Sequence, residues 1–506
     1  MQKYIMANKR AGLFTSAAKT ASRAAVDTAF AKIQNNVDVI HDHQPGDPQL
    51  RRVVVFKSSE AAEIQALQQS LPQDVLLEPE IVHWPTASFL APPLDLLGIR
   101  RQLVAAPFLV GMGLQLTVKI LGGGQPLANA EVILVLQGYG GFRQTLAGRT
   151  GADGVLSFQY GWFFRPAALI VVPAGNFWSM LVRGPKDPVT VDCPPLPADG
   201  PLAWWHEVMG EKVYDADAGK GILVGVADTG VGPHPCLTHV HAIGSFIDGK
   251  YDPAGGQDVD SHGSHVCGII GARPQTPGQY AGLAPGADLH CARVFPPGQG
   301  ANQGDIARAI DELSKTHGVD LLNLSLGASQ GSQIEHDAII DAFQRGTLIV
   351  CAAGNDGNGN PVNYPAAFPE TLAVSALGLL GWAPDGALSA NCVPKEADKF
   401  GDEGLYLADF SCTGPDLDCG APGVGIISTV PERYGLTSPY GIMDGTSMAS
   451  PAACGALAAL LAKHADYKGL PRDKTRAEMA RKILHDHCRN IGLKAKYVGR
   501  GIAMAL

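Results

Sequence analysis

Along the first 84 residues, apolar positions recur at two spacings in turn. Lys3 to Ala7 is a short apolar run that predicts a strand, and Ser16 to Ile33 is Ala-rich with helical spacing. Val37 to Ile40 and the β-branched Arg52 to Phe56 predict two further strands. Ser59 to Leu71 carries Ala61, Ile64, Leu67 and Leu71 on one face and predicts an amphipathic helix, with Val75 to Val82 as a last strand. The order βαββαβ predicts a ferredoxin-like α+β unit over residues 1–84. From Trp84 to about Val110 the chain is rich in Pro and Leu without periodicity, so residues 85–111 read as a linker.

Residues 112–192 change character. Gln115 to Ile120 alternates strictly, and Glu131 to Leu136, Val155 to Phe158 and Ala168 to Val172 follow, separated by Gly- and Asp-rich turns. Short strands at that spacing predict a small antiparallel β-sandwich. After the Pro-rich boundary at 192–197, residues 193–506 alternate buried-strand runs with helical segments. Ile222 to Ala227, Leu289 to Val294, Leu321 to Leu326, Leu348 to Ala353 and Leu372 to Ala376 are continuous apolar runs, as strands covered on both faces require. Asp305 to His317 and Glu335 to Gly346 are helical, which predicts an α/β domain with a mainly parallel sheet.

A length of 506 residues predicts two or three domains, and 46% hydrophobic with 17% charged residues predicts a well-packed core. The net charge of −9, with no Lys/Arg-rich run, argues against a nucleic-acid partner. No run approaches the roughly 18 apolar residues of a membrane span. Residues 1–10 lack an uninterrupted apolar region, so no signal peptide and a cytoplasmic location are the expectation. Ten scattered cysteines fit reduced thiols, with a bridge among Cys392, Cys412 and Cys419 as the alternative.

Three separated segments carry chemistry. Asp228 ends an apolar strand ahead of Thr229-Gly230, and His262 opens His262-Gly263-Ser264-His265-Val266. Ser447 lies in Gly445-Thr446-Ser447-Met448-Ala449-Ser450-Pro451. A hydroxyl becomes a nucleophile when an imidazole takes its proton and a carboxylate holds that imidazole. Asn355, in Ala353-Gly354-Asn355-Asp356-Gly357, offers a side-chain amide to an oxyanion.

Together these segments resemble the subtilisin-like serine peptidases (subtilases, peptidase family S8), with Ser264 where that family usually has Thr. The resemblance implies a subtilisin-like catalytic domain and a serine endopeptidase acting through an acyl-enzyme. Asp228, His262 and Ser447 would form its triad and Asn355 would serve its oxyanion hole. It also implies that Ser325, Leu326 and Gly327 pair with an extended protein or peptide substrate. Asn363 would then floor the primary specificity pocket, a polar floor without charge. The βαββαβ unit is similar to subtilase propeptides in layout and position, which implies a zymogen whose N-terminal domain acts as intramolecular inhibitor and chaperone. Residues 112–192 are similar to transthyretin-like accessory modules. No cofactor is implied; calcium stays open, because residues 271–280 hold few of the ligands of the family's tight calcium loop. For the segment Leu377 to Phe410, a rim or lid and an inert surface loop stay open. The alternatives to an endopeptidase are a subtilase-type peptide ligase or macrocyclase, and a non-catalytic scaffold.

Overall fold

The computed structural model describes residues 1–10, 16–47, 50–86 and 113–506, so most of the predicted linker, residues 87–111, lies outside the described residues. The N-terminal unit runs Gln2–Asn8, helix Ser16–Phe30, Asp38–His43, Val53–Ser58, helix Ala61–Ser70 and Val75–Pro79. Its first strand lies between Val53–Ser58 and Val75–Pro79, antiparallel to both, with Asp38–His43 on the outside. That is the ferredoxin-like order. Tyr4, Met6, Val54 and Phe56 pack with Phe30, Ile64 and Leu67 of the unit's own helices. Ile5, Ala7, Val53 and Val55 join the core of the C-terminal domain, residues 194–506, instead. Both faces of these strands are covered, which is why they read as unbroken apolar runs.

The predicted last strand, Val75 to Val82, is two strands. Val75–Pro79 stays in the N-terminal sheet, where Pro79 opposite Tyr4 is the last paired residue. One further hydrogen bond follows it, from the Glu80 N–H to Lys3 O at 2.9 Å. The chain turns at Glu80 and Ile81, where the Ile81 N–H donates to Gln303 Oε1 at 2.9 Å, and Val82–Pro85 forms a separate strand on the C-terminal domain. Nearby, the Glu78 carboxylate accepts from Ser332 Oγ and the Gln333 N–H, both at 2.6 Å, at the start of helix Gln333–Gln344. A carboxylate there meets unpaired N–H groups and the positive end of the helix dipole.

Charges also cross this interface. Arg51, fully buried, reaches Asp337 at 2.6 Å and Asp311 at 3.2 Å, and Arg10 lies 3.7 Å from Asp341. Burial works against the charge of Arg51, but Asp311 and Asp337 outweigh it and raise its pKa.

Residues 113–193 form two packed sheets. One orders Val155–Gly161, Gly113–Gly122 and Val189–Cys193; the other orders Met180–Arg183, Arg165–Val172, Glu131–Gln137 and Arg143–Arg149. The sandwich is not purely antiparallel as predicted, because Val189–Cys193 runs parallel to Gly113–Gly122. Leu116, Val118, Leu134, Leu169 and Val171 fill the space between the sheets. The outer face of the second sheet, Ile133, Val135, Ala168 and Ile170, packs on Leu388 of the C-terminal domain. The Leu181 N–H donates to Gly386 O at 2.9 Å and the Leu388 N–H to Ser179 O at 2.8 Å, while Trp178 meets Trp382 edge to face. Within the segment Leu377 to Phe410, residues 382–391 are thus a docking surface for the sandwich.

The C-terminal domain is built on an eleven-stranded sheet. Leu223–Asp228 lies between Asp288–Arg293 and Leu321–Leu324, followed outward by Leu348–Ala352, Thr371–Leu379 and Cys419–Pro422, all paired in parallel. Helices cover both faces and close two apolar cores. All ten cysteines are free thiols, nine of them buried. Among the described residues, no helix is long and apolar enough to cross a membrane.

Removing Asp337 leaves Arg51 buried with one carboxylate fewer. Breaking a buried pair from one side costs about 3–5 kcal/mol. Asp337→Ala is therefore expected to lower the unfolding midpoint of the full chain by several degrees in a thermal melt, and an unchanged midpoint would show that the interface charges are not coupled to folding.

Candidate active site

Asp228 is the last residue of Leu223–Asp228, where the chain order reverses across the sheet. Open α/β sheets form their crevice at that carboxyl-end position. His262 is the first residue of helix His262–Gly271. A Cβ on Gly263 would fall 2.1 Å from Gly230 O, so only glycine lets this helix start against the Asp228–Gly230 turn. Thr229 Oγ1 accepts from the Gly263 N–H at 2.8 Å and donates to Asp258 Oδ1 at 2.9 Å. Asp258 also accepts from the Ser261 N–H, the Ser264 N–H and Ser264 Oγ. Asp258, which ties the aspartate turn to the histidine helix, does not stand out in the sequence. Its signal is an acidic residue just ahead of a helix start.

Asp228 Oδ1 lies 2.7 Å from His262 Nδ1 and accepts from the Thr229 N–H at 2.7 Å. The other ring nitrogen, Nε2, is buried with no hydrogen-bond partner. Burial opposes the charged imidazole, but the charge and hydrogen bond of Asp228, followed by Asp260 and Asp258, outweigh it and raise the pKa of His262. His265, one turn on, faces the carbonyls of Ile426 and Gly441 at 3.0 and 3.2 Å. Burial pushes its pKa down to about 3, as suits a neutral structural imidazole.

Ser447 is the second residue of helix Thr446–Lys463, buried nearly throughout. Pro451 has no N–H to return to the Ser447 carbonyl four residues back; Ser325 Oγ donates to that carbonyl at 2.8 Å instead. Asn323 links the same group, donating to Ser325 Oγ and accepting from Ser450 Oγ. The Ser447 hydroxyl donates to Ser325 O at 2.8 Å and lies 2.6 Å from Thr86 Oγ1. It makes no hydrogen bond to His262, whose Nε2 has no partner.

Asn355 is oriented by Thr446, whose N–H and hydroxyl both donate to Asn355 Oδ1, at 3.0 and 2.8 Å. Its amide nitrogen is thereby free to point into the cleft, where it donates to the Thr86 carbonyl. The Ser447 N–H donates to the same oxygen at 3.3 Å. Thr86 follows directly on the strand Val82–Pro85, which pairs antiparallel with Ala301–Asn302 on one side and Leu326–Gly327 on the other. The Thr86 N–H donates to Ser325 O at 3.2 Å. Ser325, Leu326 and Gly327 therefore pair with an extended segment, and that segment belongs to this chain. The second flanking strand, Ala301–Asn302, is hard to see in the sequence because it is two residues long; the run Gly298-Gln299-Gly300 before it is the visible signal. A Cβ on Gly300 would come within 2.2 Å of Val82, so glycine is needed for the strand to lie down.

Asn363 sits beside the Thr86 side chain: a Cβ on Gly327 would touch Thr86 Cγ2 at 3.2 Å and Asn363 Cβ at 3.4 Å. Its amide donates to Asp356 Oδ2 at 2.9 Å, so a carboxylate adjoins it. Among the described residues, no group of three or more His, Cys, Asp or Glu is placed to hold a metal ion.

A mainly parallel sheet with these groups at one end defines the subtilisin-like class of serine peptidase domains. The Subtilase family profile matches residues 219–497, and the chain belongs to that family. It is similar to Subtilisin Savinase of Lederbergia lenta, 32% identical over 50% of this chain and 80% of the relative. It is also similar to Minor extracellular protease Epr of Bacillus subtilis (strain 168), 35% identical over 48% of this chain and 32% of the relative, so the match spans about a third of Epr. Fervidolysin from Fervidobacterium pennivorans, a keratinolytic enzyme related to subtilisin, shares the fold over 100% of this chain and 60% of its own. The TM-score is 0.60 and the identity 20%.

The charges around His262 predict where it titrates. In a Ser447→Ala chain with labelled histidines, NMR is expected to place the His262 titration above the ordinary value of about 6.5. Asp260→Asn removes a negative charge that favours the imidazolium, so the titration should move to lower pH. A shift in the opposite direction would contradict this electrostatic account.

Proposed function

We propose that this chain is a serine endopeptidase made as a zymogen, whose own first processing step cuts between Thr86 and Ala87. The observation that carries this reading is the Thr86 carbonyl oxygen, which receives two N–H donors, from Asn355 and from the Ser447 backbone. Two donors converging on one carbonyl beside a serine hydroxyl are what an oxyanion hole requires.

In this reading the Ser447 hydroxyl turns from Ser325 O toward His262 Nε2, the unpartnered acceptor. Asp228 holds Nδ1–H and so fixes the tautomer that leaves Nε2 free. Ser447 Oγ bonds to the Thr86 carbonyl carbon as its proton passes to Nε2, and the charge forming on the carbonyl oxygen is held by Asn355 and the Ser447 N–H. The imidazolium gives the proton to the Ala87 nitrogen as the peptide bond breaks. Water, activated by the same imidazole, then releases the acyl group. The N-terminal unit, anchored through Glu78, Arg10 and Arg51, would hold Val82 to Thr86 in the cleft and act as inhibitor. Protein or peptide substrates would lie along Ser325, Leu326 and Gly327, with Asn363 beside the primary side chain. Neither amine-resolved ligation nor a non-catalytic scaffold draws support from a particular feature of the site.

N-terminal sequencing tests this. Wild-type protein is expected to yield a fragment beginning at Ala87, and Ser447→Ala to stay intact; a Ser447→Ala chain that is cut at the same bond would refute self-processing. For peptide hydrolysis, Asn355→Ala should lower kcat by about 10²–10³ with little change in KM, because the amide acts on charge that exists only in the transition state; that range is the one known for the oxyanion-hole donor of a subtilisin. A loss confined to KM would make Asn355 a substrate-binding group.

A further inference from the structure

His83 lies three residues before Thr86, on the strand that fills the cleft. Its neighbours Val82 and Trp84 are 38% and 40% exposed, whereas His83 is wholly buried, as alternation along a strand requires. Its side chain meets Glu335, equally buried, with Nε2 3.0 Å from Oε2. Glu335 stands in the first turn of helix Gln333–Gln344, whose Ile334, Ala338 and Ile339 pack into the apolar core.

Nothing else in the helix accounts for a carboxylate there. The Glu335 N–H is satisfied by Ser332 Oγ at 3.1 Å, and Glu78 covers the first N–H group of the helix. Neither Glu335 carboxylate oxygen accepts a well-formed hydrogen bond, so His83 is its polar neighbour. A buried carboxylate is costly unless it faces a cation or an N–H donor, and an apolar residue would suit this core better. Once Thr86–Ala87 is cut and residues 1–86 leave, His83 goes and Glu335 remains, at the bottom of the subsite that takes the fourth residue before the scissile bond.

We propose that Glu335 makes this subsite selective for a basic side chain, histidine or lysine, in protein substrates. The proposal rests on Thr86 being the residue whose carbonyl is attacked. An imidazole N–H or an ammonium would satisfy the carboxylate, an aliphatic side chain would leave it unpaired, and an acidic one would repel it.

Peptides spanning residues 82–88 of the chain, with position 83 as His, Lys, Leu or Glu, test the assignment on the processed enzyme. Charge-assisted hydrogen bonds are the strong ones, so kcat/KM for the His and Lys peptides should exceed that for Leu by about tenfold or more, with Glu lowest. Glu335→Leu should invert the order of Lys and Leu, and the isosteric Glu335→Gln should narrow the gap while disturbing packing least. Wild-type enzyme that cuts the Leu peptide as well as the His and Lys peptides would overturn the proposal and leave the peptidase reading standing. So would an order that neither variant changes. Failure to cut any of the four would overturn both.

Discussion

The Thr86 carbonyl oxygen is where the architecture converges. An extended segment can lie in a cleft only if its backbone groups find partners, and Val82 to Thr86 finds them on both sides, in two short strands that each present an open edge. The surrounding sequence serves that seating. Gly300 removes the side chain that would block it, and Gln303 takes the turning backbone at Ile81. Thr446 turns the Asn355 amide so that its nitrogen faces inward. Each of these is a local device, yet all act on one hydrogen-bonded oxygen.

Most ion pairs that hold the N-terminal unit take their cation from that unit, the pair of Asp47 with Lys315 running the other way. Lys3, Arg10 and Arg51 come from that unit, and Asp248, Asp341, Asp337 and Asp311 come from the catalytic domain. Buried ion pairs add little net stability over apolar packing, but they penalise a wrong register heavily. Here they supplement an apolar contact in which Ile5, Ala7, Val53 and Val55 share a core with Ile306 and Ile310. Apolar burial supplies the attraction, and the charges determine how far along the helices the sheet settles.

The β-sandwich reaches the catalytic domain by a different means, through backbone pairing with Gly386 and Leu388 and through the tryptophan pair Trp178 and Trp382. It also touches the hairpin ahead of Ser447, where Asn176 exchanges hydrogen bonds with Tyr440. His265 supports that same hairpin from beneath. The segment between the nucleophile and the sheet is therefore packed from two sides by residues far apart in the chain.

Periodicity alone determined the layered α/β sheet and the βαββαβ order, because a strand covered on both faces and an amphipathic helix write different spacings into the sequence. The resemblance of the Asp228, His262 and Ser447 segments to one family was legible for a similar reason: tight turns and helix starts demand particular small residues, such as Gly263, at fixed places. The cleft was not legible. Thr86 meets Ser447 across 361 residues, Glu335 meets His83 although the whole β-sandwich lies between them in the chain, and Asp356 adjoins Asn363 through a turn. The hydrogen-bond partner of the Ser447 hydroxyl, Ser325 and not His262, depends on which acceptors packing brings near. A side chain's partners are set by the three-dimensional arrangement of strands, and only the tertiary structure decides which distant residues share a low-dielectric site.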